Sequence, residues 1–274
     1  RDSSTSRGLG MCIRDRKIAI IGAGNMGGAI ARGLARGTIV KANEIFVANP
    51  SNGKLDALKA EFPEINVTND NDEVVKEADI IILAVKPWMV EQVLSFTKLD
   101  IERQVLVSVA GGLSFDRFSE WVSPQMTIFR VIPNTAISER QSMTLIASRN
   151  ASKEQEQLML DIFNELGMAM LIPESQMRAT TALTSCGIAY VLKYIQAAMQ
   201  AGIEMGVCPK DAQKMVAQSV KGAAELILNN DTHPSVEIDK VTTPGGITIK
   251  GINELDHAGF TSAVIKAIKA GNVE

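Results

Sequence analysis

From Lys17 onward the chain alternates short, uninterrupted apolar runs with longer stretches in which apolar residues recur every three or four positions. The runs are KIAII at 17–21, EIFVANP at 44–50, ADIIILAVKP at 78–87, QVLVSVAG at 104–111, TIFRVIPN at 127–134, MTLIAS at 143–148 and AMLIP at 169–173. Rich in Val and Ile and separated by helical stretches, they predict strands buried on both faces of a parallel sheet. After Pro173 the strand signal stops and helical patterns take over, so the expected division lies near Glu174, with an α/β domain over 17–174 and a helical domain over 175–274. Between Gly187 and Gly206 the polar residues Lys193, Gln196, Gln200 and Glu204 form one narrow stripe on an otherwise apolar helix. Such a helix has to be buried on most of its circumference. A domain of about 100 residues offers little room for that, so another copy of the chain is expected to cover part of it. An ordinary core helix within one chain is the alternative.

Residues 1–16 carry Arg, Ser and Gly without apolar periodicity and are set aside as a tail expected to be disordered or non-native. Asp2, Asp15 and the shortness of the stretch argue against a transit peptide.

Composition narrows the class. At 274 residues the chain has room for two domains, and 46% apolar with 22% charged residues excludes a disordered or collagen-like protein. The formal net charge of −3 argues against a nucleic-acid surface, which needs an excess of Lys and Arg. No apolar run is long enough for a membrane span. Cys12, Cys186 and Cys208 lack metal-type spacing and suggest free thiols in a reducing, cytoplasmic compartment. The two histidines, His233 and His257, are too few for a His-rich metal site and read as helix-end or surface residues.

The segment Gly22-Ala23-Gly24-Asn25-Met26-Gly27 fits G-x-G-x-x-G, directly after a strand and opening a helix, which is the context of a dinucleotide site. A purely structural turn is the other reading. An NAD-preferring site would place a carboxylate after the second strand. Here that strand ends in Asn49-Pro50-Ser51-Asn52-Gly53-Lys54, which offers amide, hydroxyl and ammonium donors instead. NADPH is therefore favoured over NADH, although no Arg follows the strand to make the choice firm. There is no G-x-S-x-G elbow and no P-loop. Asn134, in RVIPNT at 130–135, stands at a strand end, either shaping a ligand pocket or making a plain turn. The loop Val241-Thr242-Thr243-Pro244-Gly245-Gly246-Ile247-Thr248 precedes a helix, and its backbone N–H groups suit a carboxylate.

Taken together and in this order, GAGNMG, AVKP at 84–87, RVIPNT and DKVTTPGGIT at 239–248 resemble the pyrroline-5-carboxylate reductase family, from Lys17 to about Ala270. The resemblance implies a Rossmann-type dinucleotide-binding domain followed by an all-α domain through which subunits dimerise, and possible rings of dimers. It implies reduction of a cyclic imino acid, 1-pyrroline-5-carboxylate, to proline, without a metal. It places cofactor contacts on Ile21, Gly22, Ala23, Gly24, Asn25, Met26 and Gly27, on Asn49 and Asn71, on Ala84, Val85, Lys86 and Pro87, and on Val109, Ala110 and Gly111. Substrate contacts fall on Val241, Thr243, Gly246, Ile247 and Thr248, with Thr248 at the ring nitrogen as the catalytic residue. Three features depart from the family pattern: Cys186 and Ile188 in TSCGIAY at 184–190, Thr243 for Ser, and Ile247 for Thr. Two rival expectations remain, a hydroxy-acid dehydrogenase of the related two-domain type and a non-catalytic NADP-binding module. The first would need a helix lysine, and Lys193 comes too late after Gly187.

Overall fold

The computed structural model describes residues 16–272, so the tail up to Asp15, with Cys12, lies outside the described residues. Eight strands form one sheet in the order β3-β2-β1-β4-β5-β6-β7-β8. They are β1 (Ile18–Ile21), β2 (Ile45–Ala48), β3 (Asn66–Thr68), β4 (Ile80–Leu83), β5 (Val105–Ser108), β6 (Thr127–Ile132), β7 (Ser142–Arg149) and β8 (Gly167–Leu171). The apolar runs are continuous because alternate residues feed opposite cores. On one face Ile18 and Ile20 join Ile30 and Leu34 of α1 (Asn25–Ala35) and Phe163 of α6 (Lys153–Asn164). On the other, Ala19 and Ile21 join Val75 of α3 (Asn71–Glu77), Leu94 of α4 (Val90–Phe96) and Phe118 of α5 (Phe115–Ser119). Phe163 is wholly buried, so Phe163→Ala should cost about 3–5 kcal/mol of unfolding free energy. A denaturation midpoint unchanged from wild type would contradict this packing.

Three features depart from the expected sheet. β3 was not anticipated; it is a three-residue edge strand, half-buried throughout and paired only with β2. β7 runs antiparallel to β6, while every other pairing is parallel. The reason is the connection: Asn134 to Gln141 holds one 3₁₀ segment, Thr135–Glu139, and a left-handed Arg140 (φ 56°), too short for a parallel crossover. Asn134 caps this segment, its side-chain oxygen accepting the Ala136 N–H at 3.0 Å, so the turn reading of Asn134 holds. β8 begins at Gly167 rather than Ala169. Gly167 has φ +140°, and a Cβ there would stand 2.2 Å from the Ser142 carbonyl oxygen, which only glycine avoids.

The chain divides into two compact units after Thr181. The short helix α7 (Met177–Thr181) belongs with the sheet, because Met177 is buried in its core. The second unit opens with a π-helical turn, Ala182–Cys186, and continues as α8 (Gly187–Glu204), α9 (Pro209–Asn230), α10 (Pro234–Val241), α11 (Ile247–His257) and α12 (Phe260–Ala270). α8 passes α9 at Gly202, where a Cβ would make ordinary van der Waals contact with that of Ala212 at 3.4 Å. The Tyr190 hydroxyl donates to the Ala267 carbonyl at 3.1 Å and ties α8 to α12. Of the described residues in this unit, only Ala182 and Ala212 are buried. On α8, Val191, Leu192, Tyr194 and Ile203 are exposed, Leu192 by 58%. The apolar circumference expected of this helix is present and lies open in the single chain. No described helix is long and apolar enough to cross a membrane.

Candidate active site

The order of strands reverses at β1, whose neighbours β2 and β4 feed opposite directions, and such a switch point opens a crevice at the strands' carboxyl ends. The chain closes its walls with backbone bonds: Gly22 N–H donates to Ala48 O (2.8 Å), and Ala84 N–H to Ile21 O (2.9 Å). A cavity of about 730 Å³ occupies the crevice. Of the residues expected at a cofactor, Ile21, Gly22, Gly24, Asn25 and Met26 line it, with Asn49 and Asn71. So do Ala84 to Pro87 and Val109 to Gly111. Ala23 and Gly27 do not line this cavity.

Each glycine of the turn has its own reason. Gly22 has φ +104°, and a Cβ would meet the Ala84 carbonyl oxygen at 2.7 Å, so it permits the tight turn. Gly24 has nothing within 4 Å of a Cβ, so its bare backbone faces open space at the head of α1. Gly27 is the packing glycine: a Cβ there would lie 1.9 Å from the Gly22 carbonyl oxygen and 2.8 Å from the Ala84 Cβ. α1 carries no side-chain cap, leaving its first N–H groups and the positive end of its dipole for an anion. That cradle fits a pyrophosphate.

Asn49 does different work from that expected of a simple contact. Its side-chain oxygen accepts the Ala23 N–H (3.0 Å), and its Nδ2 donates to the carbonyl and hydroxyl oxygens of Ser51 (3.0 Å each). It therefore binds the glycine turn to the loop after β2. Sequence reasoning left Ser51 and Lys54 as unassigned donors; both line the cavity, together with Met89 and Val93. The lining holds Lys54 and Lys86 and no carboxylate, which suits a polyanion.

In the helical unit, α10 ends at Val241, and Gly245 (φ +72°) and Gly246 turn the chain into α11. Gly246 N–H already donates to Thr243 O at 2.9 Å, so the amides left for a carboxylate are those of the first turn of α11. Thr248 lines a largely apolar cavity of about 700 Å³, facing Tyr194, Ile252, Leu255 and Phe260. Val241, Thr243, Gly246 and Ile247 do not line it, and the Ile247 side chain is 87% exposed. Lys193 does line it, its Nζ donating to Gln196 Oε1 at 2.9 Å, although spacing alone set this lysine aside. His233 caps α10, its Nδ1 accepting the Ser235 N–H at 3.3 Å, and His257 ends α11.

Comparison with known proteins gives separate matches for the two ends of the chain. Residues 174–273 match the family model described as pyrroline-5-carboxylate reductase dimerisation, and residues 17–112 match that of NADP oxidoreductase, coenzyme F420-dependent. Pyrroline-5-carboxylate reductase 2 of Dictyostelium discoideum is 38% identical over 93% of this chain and 90% of its own length. Pyrroline-5-carboxylate reductase 1 of the same organism is 38% identical over 94% of this chain, which spans about half (49%) of that longer relative. The crystal structure of Plasmodium falciparum pyrroline carboxylate reductase with NADP bound superposes with a TM-score of 0.84 at 30% identity, covering 94% of this chain and 96% of that one. On sequence and fold alike, the chain belongs to the pyrroline-5-carboxylate reductase family.

Proposed function

We propose that the protein reduces 1-pyrroline-5-carboxylate to L-proline with NADPH. The observation that carries the reading is the acid-free cleft at the β1–β4 switch point, whose three glycines and uncapped helix fit a dinucleotide pyrophosphate. When bound, the reduced nicotinamide supplies a hydride. Gly22, Gly24 and the first turn of α1 would hold the pyrophosphate, and Asn49 keeps the glycine turn in place. Val109 to Gly111, at the end of β5, wall the cleft on its far side. In the helical unit, the amides at the start of α11 face the substrate carboxylate.

The Thr248 hydroxyl hydrogen-bonds the ring nitrogen, donating to a neutral imine or accepting from a protonated one. An imine takes hydride far more readily when its nitrogen carries a proton. A threonine hydroxyl is too weak an acid to provide it, so the proton arrives on the substrate or from solvent. The balance is one hydride to the imine carbon and one proton to nitrogen, giving the secondary amine and oxidised cofactor.

The protein forms homo-oligomers through its helical half, in keeping with the dimerisation model that spans it and with the open apolar face of α8. Assembly into a ring of dimers and a cytoplasmic location belong to the proposal; the free thiols of Cys186 and Cys208 support the latter. The test is to mix purified protein with NADPH and the cyclic imine and follow nicotinamide absorbance. Consumption matched by proline formation is expected. Tight NADPH binding without consumption would instead make the chain a binding module, and turnover of hydroxy acids in place of the imine would favour the dehydrogenase reading.

A further inference from the structure

No arginine follows β2, but the fold brings one from α1. Beside the main cleft lies a smaller cavity of about 220 Å³, whose walls include Ala23, Gly28, Arg32 and Gly53. It shares Gly24, Asn25 and Lys54 with the main cleft, so the two adjoin across the glycine turn. Arg32 sits two turns into α1, yet helical side chains lean towards the N-terminus. Its Nη1 stands 3.0 Å from where a Cβ on Gly28 would be, so the guanidinium lies back along the helix towards the turn. Gly28 leaves it that room.

The guanidinium is also held from behind. Glu61, the last residue of α2 (Asn52–Glu61), accepts from Arg32 Nε at 2.6 Å and pairs with Arg36 as well. The hydrogen bond from Arg32, with the charges of both arginines, holds the Glu61 carboxyl below its ordinary range, so it stays ionised at neutral pH. Glu61 engages Nε, while Nη1 lies beside Gly28, and both Gly28 and Arg32 line the cavity. Arg32, Arg36 and Lys54 outnumber the single carboxylate, so the corner is cationic.

We infer that Arg32, together with Lys54, receives the 2′-phosphate on the adenosine ribose of NADP and so sets the preference for NADPH over NADH. The inference rests on reading the main cleft as the dinucleotide site. A phosphomonoester dianion needs charge and several donors at once. A guanidinium fork offers both in a fixed plane, and an ammonium adds a second charge. Asp or Glu would repel the dianion, and neither lines either cavity. The 2′-hydroxyl of NAD gains little from such a corner.

The experiment is calorimetric titration of the intact protein with 2′,5′-ADP and with 5′-AMP, which differ only in the 2′-phosphate. Wild type should bind 2′,5′-ADP at least tenfold more tightly. Arg32→Gln should weaken 2′,5′-ADP about 10- to 100-fold, the scale of one charge-assisted contact, and leave 5′-AMP within twofold. Arg32→Lys should restore part of the difference. Unchanged discrimination in Arg32→Gln would overturn the inference, as would equal weakening of both ligands, which marks Arg32 as structural only. Wild type binding neither fragment nor NADPH would instead remove the dinucleotide reading on which the inference stands.

Discussion

Replacing Thr248 by alanine should lower kcat/KM for the cyclic imine by about 100-fold or more, the scale of losing one positioned donor at the reacting centre. The dissociation constant for NADPH should stay at the wild-type value. Thr248 belongs to α11, and its cavity shares no lining residue with the dinucleotide cleft, so the two effects separate cleanly. The exposed position of Thr248 in the single chain makes loss of folding a poor explanation of such a result. Thr248→Ser keeps the hydroxyl and should recover most of the activity. If Thr248→Ala turns over normally in steady-state assays, the hydroxyl has no part in the chemistry. If it loses NADPH binding as well, its effect is on the fold.

The second large effect is expected at the glycine turn, where two neighbouring substitutions should part company. Gly27→Ala puts a methyl group 1.9 Å from the Gly22 carbonyl oxygen and 2.8 Å from the Ala84 Cβ, the residues that directly follow β1 and β4. Backbone must move, at a cost of about 3 kcal/mol, which is a fall of roughly 6–12 °C in Tm for a domain of this size. NADPH binding should drop with it, because the turn that moves is the proposed pyrophosphate cradle. Gly24→Ala meets no atom within 4 Å. Its Tm should remain close to wild type, while NADPH affinity falls because the methyl group stands where the pyrophosphate approaches. Thermal melts with and without NADPH read both quantities. Equal melting temperatures for the two variants would refute the distinct roles given to these glycines.

How much of this was legible in the sequence depended on the range over which each signal acts. The turn at Gly22 to Gly27 is local, flanked by a strand and a helix, and its chemistry could be read directly. The main strands announced themselves as Val- and Ile-rich runs. β3 did not, because Asn66, Val67 and Thr68 form too short and too polar a segment, and only pairing with β2 makes it a strand. The antiparallel turn of β7 was hidden for another reason: an apolar run buried on both faces looks the same in either direction. Arg32 is not legible from the loop after β2, because its guanidinium arrives from the flank of α1 and is fixed by Glu61, 29 residues away. The role proposed for Thr248 rests on family resemblance alone, since a threonine near a helix start is otherwise an ordinary residue.

The nearly coreless helical unit also has a consequence in time. If α8 is the face through which chains pair, each newly made chain carries it open in water until a second chain covers it. Productive pairing is second order in chain concentration, and it competes with association between incompletely folded chains that expose the same surface. The yield of working enzyme is therefore set partly by the rate at which chains appear and meet. Polar substitutions on that face would slow maturation even where the finished assembly tolerates them.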